Sequence, residues 1–171
     1  MILGGVGGSN TTTGNVFEKA SNVFEALSQI SDFDKYGNSL LLENKVIAES
    51  YDQHNFYSYL KKNNIEWSKI VSKKLLPDNT IITKNKIFIF EIKYQQTAGS
   101  VDEKLQTCDF KKKQYQKLCK NLNKEIVYVY VLNDWFKDKK YKDTLDYIES
   151  VNCFYFFNEV PLEFIFGQKR T

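Results

Sequence analysis

The chain is poor in several residue types on which common catalytic sites depend. It contains one histidine, one arginine, two prolines and three cysteines among 171 residues. A lone histidine excludes zinc sites built from several histidines and phosphodiesterase sites built from paired histidines. Ser-His-Asp catalysis would have to use His54, which lies in no nucleophile motif. We therefore expect His54 to be a surface or helix-face residue.

The cysteines and the absence of long apolar runs restrict the cellular setting. Cys108, Cys119 and Cys153 are odd in number and lack the spacing of a metal site, so we expect reduced thiols. No run of apolar residues is long enough to cross a membrane, and the N-terminus has no apolar signal segment. The abundance of lysine, asparagine and isoleucine indicates an AT-rich bacterial genome. We expect a soluble protein of the bacterial cytoplasm with no membrane partner.

The composition predicts one folded domain over residues 1–171. A hydrophobic fraction of 42% and an aromatic fraction of 15% are typical of a globular chain with a substantial core. Residues 1–14 are rich in glycine, serine and threonine, which predicts a flexible N-terminal stretch. No predicted strand precedes its glycines and no lysine stands in the Walker position, so a phosphate-binding loop is excluded.

The order of helical and strand patterns along the chain predicts an α/β fold or a mixed sandwich around one central sheet. Apolar residues recur at helical spacing from about residue 15 to residue 30. Residues 39–50 read as a hairpin that turns near Asn44. The remaining predicted helices cover 51–64, 101–122 and 138–150, with a short closing helix or turn at 161–166. The remaining predicted strands cover 79–83, 86–93, 124–132 and 152–157.

Positive charge is concentrated in one segment of the chain. The formal net charge is +3, which is too small to imply a nucleic-acid partner by itself. Residues 103–124 contain seven lysines against Glu103 and Asp109, so this segment carries +5 and the rest of the chain −2. The basic segment begins shortly after Lys93.

Three charged residues stand where packing alone does not explain them. Asp78 opens one predicted strand, and Glu91 and Lys93 end the apolar run of the next. Because side chains alternate along a strand, Glu91 and Lys93 project from one face while Phe90 and Ile92 project from the other. Charged groups left unpaired at the end of a buried strand would be costly. A site that binds a divalent metal ion accounts for them.

The residue types at these positions suit phosphodiester hydrolysis. Proteins hold Mg²⁺ through one or two carboxylates, a role that Asp78 and Glu91 fit, and the carbonyl oxygen of Ile92 would add a third ligand. Lys93 is close enough to orient or help deprotonate an attacking water, or to offset charge on the phosphate. Glu18 is a candidate outer ligand if the first helix packs against the sheet edge. The rest of the chain supplies no competing hydrolytic motif.

Pro77-Asp78 followed by Glu91-Ile92-Lys93 resembles the signature of the PD-(D/E)XK nuclease superfamily. Three longer segments resemble small type II restriction endonucleases: GGSNTTTGNVFE at 7–18, EIKYQQTAGSVDEKL at 91–105 and VYVLNDWF at 129–136. The resemblance implies a restriction-endonuclease-like α/β fold, with a central mixed β-sheet flanked by helices, in which Asp78 and Glu91 hold the metal and Lys93 is the catalytic lysine. Glu18 would match a glutamate often found on the first helix of the family.

The resemblance also implies cofactors and partners. It implies Mg²⁺-dependent cleavage of duplex DNA by a homodimer that leaves 5′-phosphates, with Mn²⁺ as a substitute ion. A companion DNA methyltransferase acting on the same site would accompany such an enzyme. Many relatives read guanine with arginine, whereas this chain must use lysine, asparagine or glutamine. The candidate DNA-contacting residues are Gln95, Gln96, Ser100, Lys104, Lys111 and Lys112.

Three functions remain open at this point. The leading one is a sequence-specific DNA endonuclease of restriction type. A structure-specific nuclease, such as a junction resolvase or repair enzyme, would use the same metal site. A catalytically inactive DNA-binding protein is the third, although such a protein has no physical need to retain Asp78, Glu91 and Lys93 together.

Overall fold

The computed structural model describes residues 22–97, 99 and 101–167 of the chain. Within these residues, seven strands form one mixed sheet whose order in space follows the order in sequence, β1 to β7, and helices flank the sheet. The strands are β1 Asp34–Tyr36, β2 Ser39–Leu42, β3 Lys45–Ser50, β4 Asn79–Ile82, β5 Lys86–Lys93, β6 Glu125–Leu132 and β7 Phe154–Phe157. The helices are α1 Val23–Ser28, α2 His54–Lys62, α3 Val101–Leu105, α4 Cys108–Cys119, α5 Lys142–Ser150 and α6 Leu162–Phe166.

The first five strands are antiparallel, and tight turns join several of them. The hairpin between β2 and β3 turns at Glu43 and Asn44, whose φ angles are 51° and 61°. Asparagine tolerates this left-handed conformation better than most residues, which explains why the turn falls here. The expected hairpin near Asn44 is therefore confirmed. The expected antiparallel pair β4 and β5 is also confirmed, with Asn79 opposite Phe90.

The last three strands are parallel, so their carboxyl ends meet at one edge of the sheet. β6 lies parallel to β5, with Glu91 beside Tyr130, and β7 lies parallel to β6. Helices α3 and α4 form the crossover from β5 to β6, and α5 forms the crossover from β6 to β7. Parallel strands are covered on both faces, which explains the almost continuous apolar runs of β5 and β6.

Alternation along β5 and β6 divides the core into two layers. Ile87 and Ile89 face the core that α2, α4 and α5 cover. Phe88 and Phe90 face the core that α1 and α6 cover. Glu91 and Lys93 continue the first set, so their side chains emerge on the side of α4, as the alternation predicts.

Several predicted elements differ in extent from the structure. The single helix expected over 101–122 is wrong, since α3 ends at Leu105 and α4 begins at Cys108. The Thr107 hydroxyl donates to the carbonyl oxygen of Lys104 at 2.7 Å, a local bond of the kind that competes with helical continuation. The predicted helix over 138–150 begins with a 3-10 turn, and its α-helical part starts at Lys142. Edge strand β1 was not predicted because all three of its residues are exposed and carry no hydrophobic signal.

The N-terminal part of the chain is described only in part. α1 is helical as expected, with Val23, Phe24 and Leu27 buried and Asn22 capping its first turn. The expected flexible stretch 1–14 and the predicted helical residues 15–21 lie outside the described residues.

Other expectations concern the thiols, the histidine and the membrane. Cys108, Cys119 and Cys153 are free thiols and all are buried. His54 is exposed at the first position of α2, as expected. Across residues 22–97, 99 and 101–167, no helix has the length and apolar character needed to cross a membrane.

Candidate active site at the carboxyl end of β5

Asp78 lies beside the end of β5 because β4 runs antiparallel to that strand and begins at the next residue. The backbone pairing of β4 with β5 ends at Asn79 and Phe90. Past this point, the side-chain carboxylate of Asp78, instead of a backbone carbonyl, accepts the next hydrogen bond from β5. Its Oδ2 atom accepts a hydrogen bond from the backbone N–H of Ile92 at 2.7 Å. The strand pairing and this bond together fix Asp78 against the residues that flank Ile92.

Lys93 joins the two predicted carboxylates. Its Nζ atom lies 2.9 Å from Oε2 of Glu91 and 3.3 Å from Oδ2 of Asp78. It also donates to the carbonyl oxygen of Ile92 at 3.2 Å. The structure thus brings Asp78, Glu91, Lys93 and the carbonyl of Ile92 to one place, as the sequence predicts. Two carboxylate oxygens and a carbonyl oxygen converge there on a single cationic group.

A second lysine completes the cluster from the helical layer. Lys111 of α4 places its Nζ atom 3.0 Å from the same Oε2 atom of Glu91. Sequence reasoning assigned Lys111 to DNA contact and did not place it beside Glu91. Lys111 and Glu91 are separated by a loop and a short helix, so no strand or helix spacing relates them. The only signal was the lysine-rich character of the segment.

The four side chains of the site differ in exposure. The exposed fraction of the side chain is 7% for Glu91 and 17% for Lys93. It is 25% for Asp78 and 24% for Lys111. Glu91 is therefore the most buried member of the site, while Asp78 and Lys111 are each about a quarter exposed to solvent.

The electrostatics keep both central groups ionised. Burial raises the pKa of Glu91, but the ammonium groups of Lys93 and Lys111 outweigh it and hold that pKa below its ordinary value. Burial lowers the pKa of Lys93, but Glu91 and Asp78 outweigh it and hold that pKa above its ordinary value. The result is a buried carboxylate and a buried ammonium that stabilise one another's charged forms.

No protein-family model, curated protein or solved structure matches this chain.

The donor set suits a hard divalent cation. The oxygens of Asp78, Glu91 and the Ile92 carbonyl are of the kind that Mg²⁺ and Mn²⁺ prefer. The Asp78 and Glu91 carboxylates each direct an oxygen at the Lys93 ammonium, so both carboxylates can contact the same cation. Among residues 22–97, 99 and 101–167, no group of three or more His, Cys, Asp or Glu side chains forms a metal-binding cluster. Glu18, the predicted fourth carboxylate, lies outside these residues.

A buried hydrogen-bond network around Asn79 holds the residue that follows Asp78. The neighbouring Asn79 is fully buried, and its Nδ2 atom donates to Oγ of Ser50 at 3.1 Å and to Oδ1 of Asp52. Its Oδ1 atom accepts from the backbone N–H of Phe24 at 3.3 Å. Asn79 therefore ties β4 to β3 and to α1 at the residue that follows Asp78.

We expect Asn79→Ala to lower the free energy of unfolding by about 2–3 kcal/mol, because it removes these bonds and leaves buried partners unsatisfied. Urea denaturation followed by circular dichroism measures the loss. Asn85→Ala, in the exposed turn between β4 and β5, is the matched control and should change stability by less than about 0.5 kcal/mol. Equal effects of the two substitutions would contradict the supporting role of Asn79.

Asn133 fixes the chain that leaves the site. It directly follows β6, and its side chain accepts from the backbone N–H of Gln95 at 3.1 Å and donates to the Gln95 carbonyl at 2.8 Å. Its own backbone N–H donates to the carbonyl of Lys93 at 3.3 Å. Asn133 thus continues the β5–β6 pairing past the end of the strands. Sequence reasoning missed this residue, although it belongs to the segment 129–136.

The predicted DNA-contacting residues lie in different surroundings. Gln96 and Lys104 are exposed, the latter on α3. The side chain of Gln95 is buried, with an exposed fraction of 6% for the residue. Lys112 is half-buried and donates to the carbonyl of Asn152 at 2.6 Å. Ser100 lies outside the described residues.

Among the described residues, the buried side-chain amide of Gln95 and the buried hydroxyl of Tyr115 have no hydrogen-bond partner. Tyr128 is fully buried beside Tyr115. Burial is the largest cause of a raised pKa at Tyr115 and at Tyr128, and the negative charge of Glu91 is the second. Buried groups of this kind are commonly satisfied by ordered water.

Proposed function

We propose that the protein is a Mg²⁺-dependent type II restriction endonuclease of the PD-(D/E)XK superfamily, with a restriction-endonuclease-like fold. It would hydrolyse phosphodiester bonds of double-stranded DNA at a specific short sequence. The observation that carries the proposal is the contact of one ammonium group, Lys93, with both Asp78 and Glu91 at the end of a central strand. The mixed sheet flanked by helices is compatible with this assignment.

Asp78 and Glu91 would hold the metal ion, and the carbonyl oxygen of Ile92 is directed to the same place. When bound, Mg²⁺ supplies positive charge at the scissile phosphate and lowers the pKa of a coordinated water. The buried position of Glu91 strengthens its interaction with any cation, since the surroundings are less polar than water. Asp78 and Lys111, each about a quarter exposed, are the members of the site that solvent reaches most.

In the metal-free site Glu91 and Asp78 hold the pKa of Lys93 above its ordinary value. A cation bound to the same carboxylates would act in the opposite direction. Lys93 would orient or help deprotonate the attacking water, or offset charge on the phosphate. In the reaction a water oxygen bonds to phosphorus, the bond from phosphorus to the 3′ oxygen breaks, and the 5′-phosphate remains. The proton that water loses passes to solvent, and the 3′ oxygen is protonated by solvent.

The basic segment 103–124 would lie along the DNA backbone. Lys104 and Gln96 are exposed and would contact phosphates, which fix register without reading sequence. Such contacts make binding strongly dependent on salt. A homodimer would place two sites on the two strands, and its symmetry would match a palindromic or pseudo-palindromic target.

Digestion of unmethylated DNA tests the proposal directly. We expect discrete fragments with 5′-phosphate ends in Mg²⁺ or Mn²⁺ and none after chelation with EDTA, with the cut sites read by sequencing the ends. DNA modified by the proposed companion methyltransferase should resist cleavage. Cleavage confined to branched DNA would replace the restriction assignment by a structure-specific nuclease. No hydrolysis of plasmid, phage or branched DNA with either ion would overturn the nuclease assignment.

A further inference from the structure

Lys111 is distinguished from the other lysines of α4 by its partner. Its ammonium lies 3.0 Å from Oε2 of Glu91, the atom that Lys93 also contacts at 2.9 Å. Lys113 instead pairs with Asp109 on the helix surface, where its side chain is 62% exposed. Lys112 donates to a backbone carbonyl. Of these three consecutive lysines, Lys111 alone reaches the predicted catalytic groups.

The position of Lys111 follows from the packing of α4 on the sheet. Tyr115 lies four residues further along α4 and is fully buried against Tyr128 of β6, with ring centroids 6.3 Å apart. Residues four apart lie on the same face of a helix, so Lys111 also faces the sheet. The direction of the Lys111 side chain toward Glu91 is thus fixed by a buried aromatic contact, not by the ion pair alone.

The cluster is electrically balanced without a metal ion. Asp78 and Glu91 carry two negative charges, and Lys93 and Lys111 carry two positive charges. One divalent cation would bring the site to two positive charges. A phosphodiester carries one negative charge, and the five-coordinate state carries two once the attacking water has lost a proton. A single divalent cation together with both lysines would therefore neutralise the state that must be stabilised, whereas a second divalent cation would leave an excess of positive charge.

We propose that Lys111 supplies the positive charge that a second metal ion would otherwise supply, so that each site binds one divalent cation. This inference rests on the proposed nuclease function. Because Lys111 and the metal ion would share Glu91, the two cations repel each other. Lys111 therefore lowers metal affinity while it increases the charge available to the substrate.

Removal of Lys111 should consequently have two opposite effects. Lys111→Met keeps the length and apolar stem of the side chain and removes its charge. We expect Mn²⁺ to bind the free protein about tenfold more tightly. We expect cleavage at saturating metal to be slower by about a hundredfold, because the charge that faces the substrate is lost. A purely structural role would give no gain in metal affinity.

Titration of Mn²⁺ into the full-length protein without DNA, with free Mn²⁺ measured by electron paramagnetic resonance, gives the stoichiometry and the affinity. The wild-type chain should bind one Mn²⁺. Lys117→Met, an exposed lysine on the same helix, should leave the Mn²⁺ affinity unchanged. Lys111→Arg, which retains the charge, should stay close to wild type. A thermal unfolding curve for each variant confirms that it is folded under the conditions of the titration.

The outcomes separate this inference from the proposed function. Two Mn²⁺ ions per wild-type chain, or an unchanged or weaker affinity in Lys111→Met, would overturn the role of Lys111 and leave the nuclease assignment intact. Failure of Lys111→Arg to preserve wild-type affinity would also overturn it, because charge would then not be the property that matters. Absence of both Mn²⁺ binding and DNA cleavage in the wild type would remove the proposed function and this inference together.

Discussion

Glu91→Gln is expected to lower the rate of DNA cleavage by about a thousandfold or more, while DNA binding remains detectable by mobility shift. The substitution keeps the size of the side chain but removes the charge that both lysines contact. It also removes the buried carboxylate that would hold the metal ion, and catalysis of this kind depends on charge stabilisation at the phosphate.

Glu125→Gln provides the matched control. Glu125 begins β6 at the opposite end of the sheet, where it pairs with Lys86 and its side chain is 64% exposed. We expect this variant to cut at the wild-type rate. Asp78→Asn changes the other predicted metal ligand, which precedes β4, and should also abolish cleavage. Wild-type rates in the folded Glu91→Gln and Asp78→Asn proteins would show that the site assignment is wrong.

Phe90→Ala should lower the free energy of unfolding by about 4 kcal/mol and the melting temperature by about 10 °C. Phe90 is fully buried between β5 and the α1–α6 layer, and its ring stacks on Phe88 with centroids 6.2 Å apart. Truncation would remove a large apolar group and leave a cavity in the layer below the site. Differential scanning calorimetry measures both quantities.

The control for Phe90→Ala is Phe110→Ala. Phe110 is 61% exposed on α4, so its truncation removes little buried surface and should change stability by less than about 0.5 kcal/mol. If Phe90→Ala were as mild as Phe110→Ala, the assignment of Phe90 to a closely packed core would be wrong. The two variants test the alternation along β5 that places Glu91 and Lys93 on the opposite face.

The strands and the hairpin could be predicted because their residues carry local signals. Period-two alternation, the apolar runs of β5 and β6, and a turn-forming asparagine each act over a few neighbouring residues. Strand β1 was missed since an exposed edge strand has no apolar face. The break between α3 and α4 was missed because the hydrophobic spacing continues across it, while a single threonine hydroxyl competes for the backbone.

The site was predictable to a similar degree. Asp78, Glu91 and Lys93 could be placed together because two of them share a strand face and the third opens the neighbouring strand. Lys111 and Asn133 could not be placed, because their contacts depend on how a helix packs on the sheet and where two strands end. The environment of Gln95 was equally inaccessible, since loop polarity does not reveal which side chain turns inward.

The hydrogen bond from Ile92 to Asp78 has a consequence for folding. A shift of β4 against β5 by one residue would turn every side chain of the shifted strand to the opposite face and would move Asp78 away from Ile92. The contact with Lys111 further requires that α4 has docked on the completed sheet. The cluster therefore exists only once three separated segments have reached their final register, so a nascent or mispaired chain carries the charged residues without an assembled site. Correct folding would itself be the step that switches the proposed chemistry on.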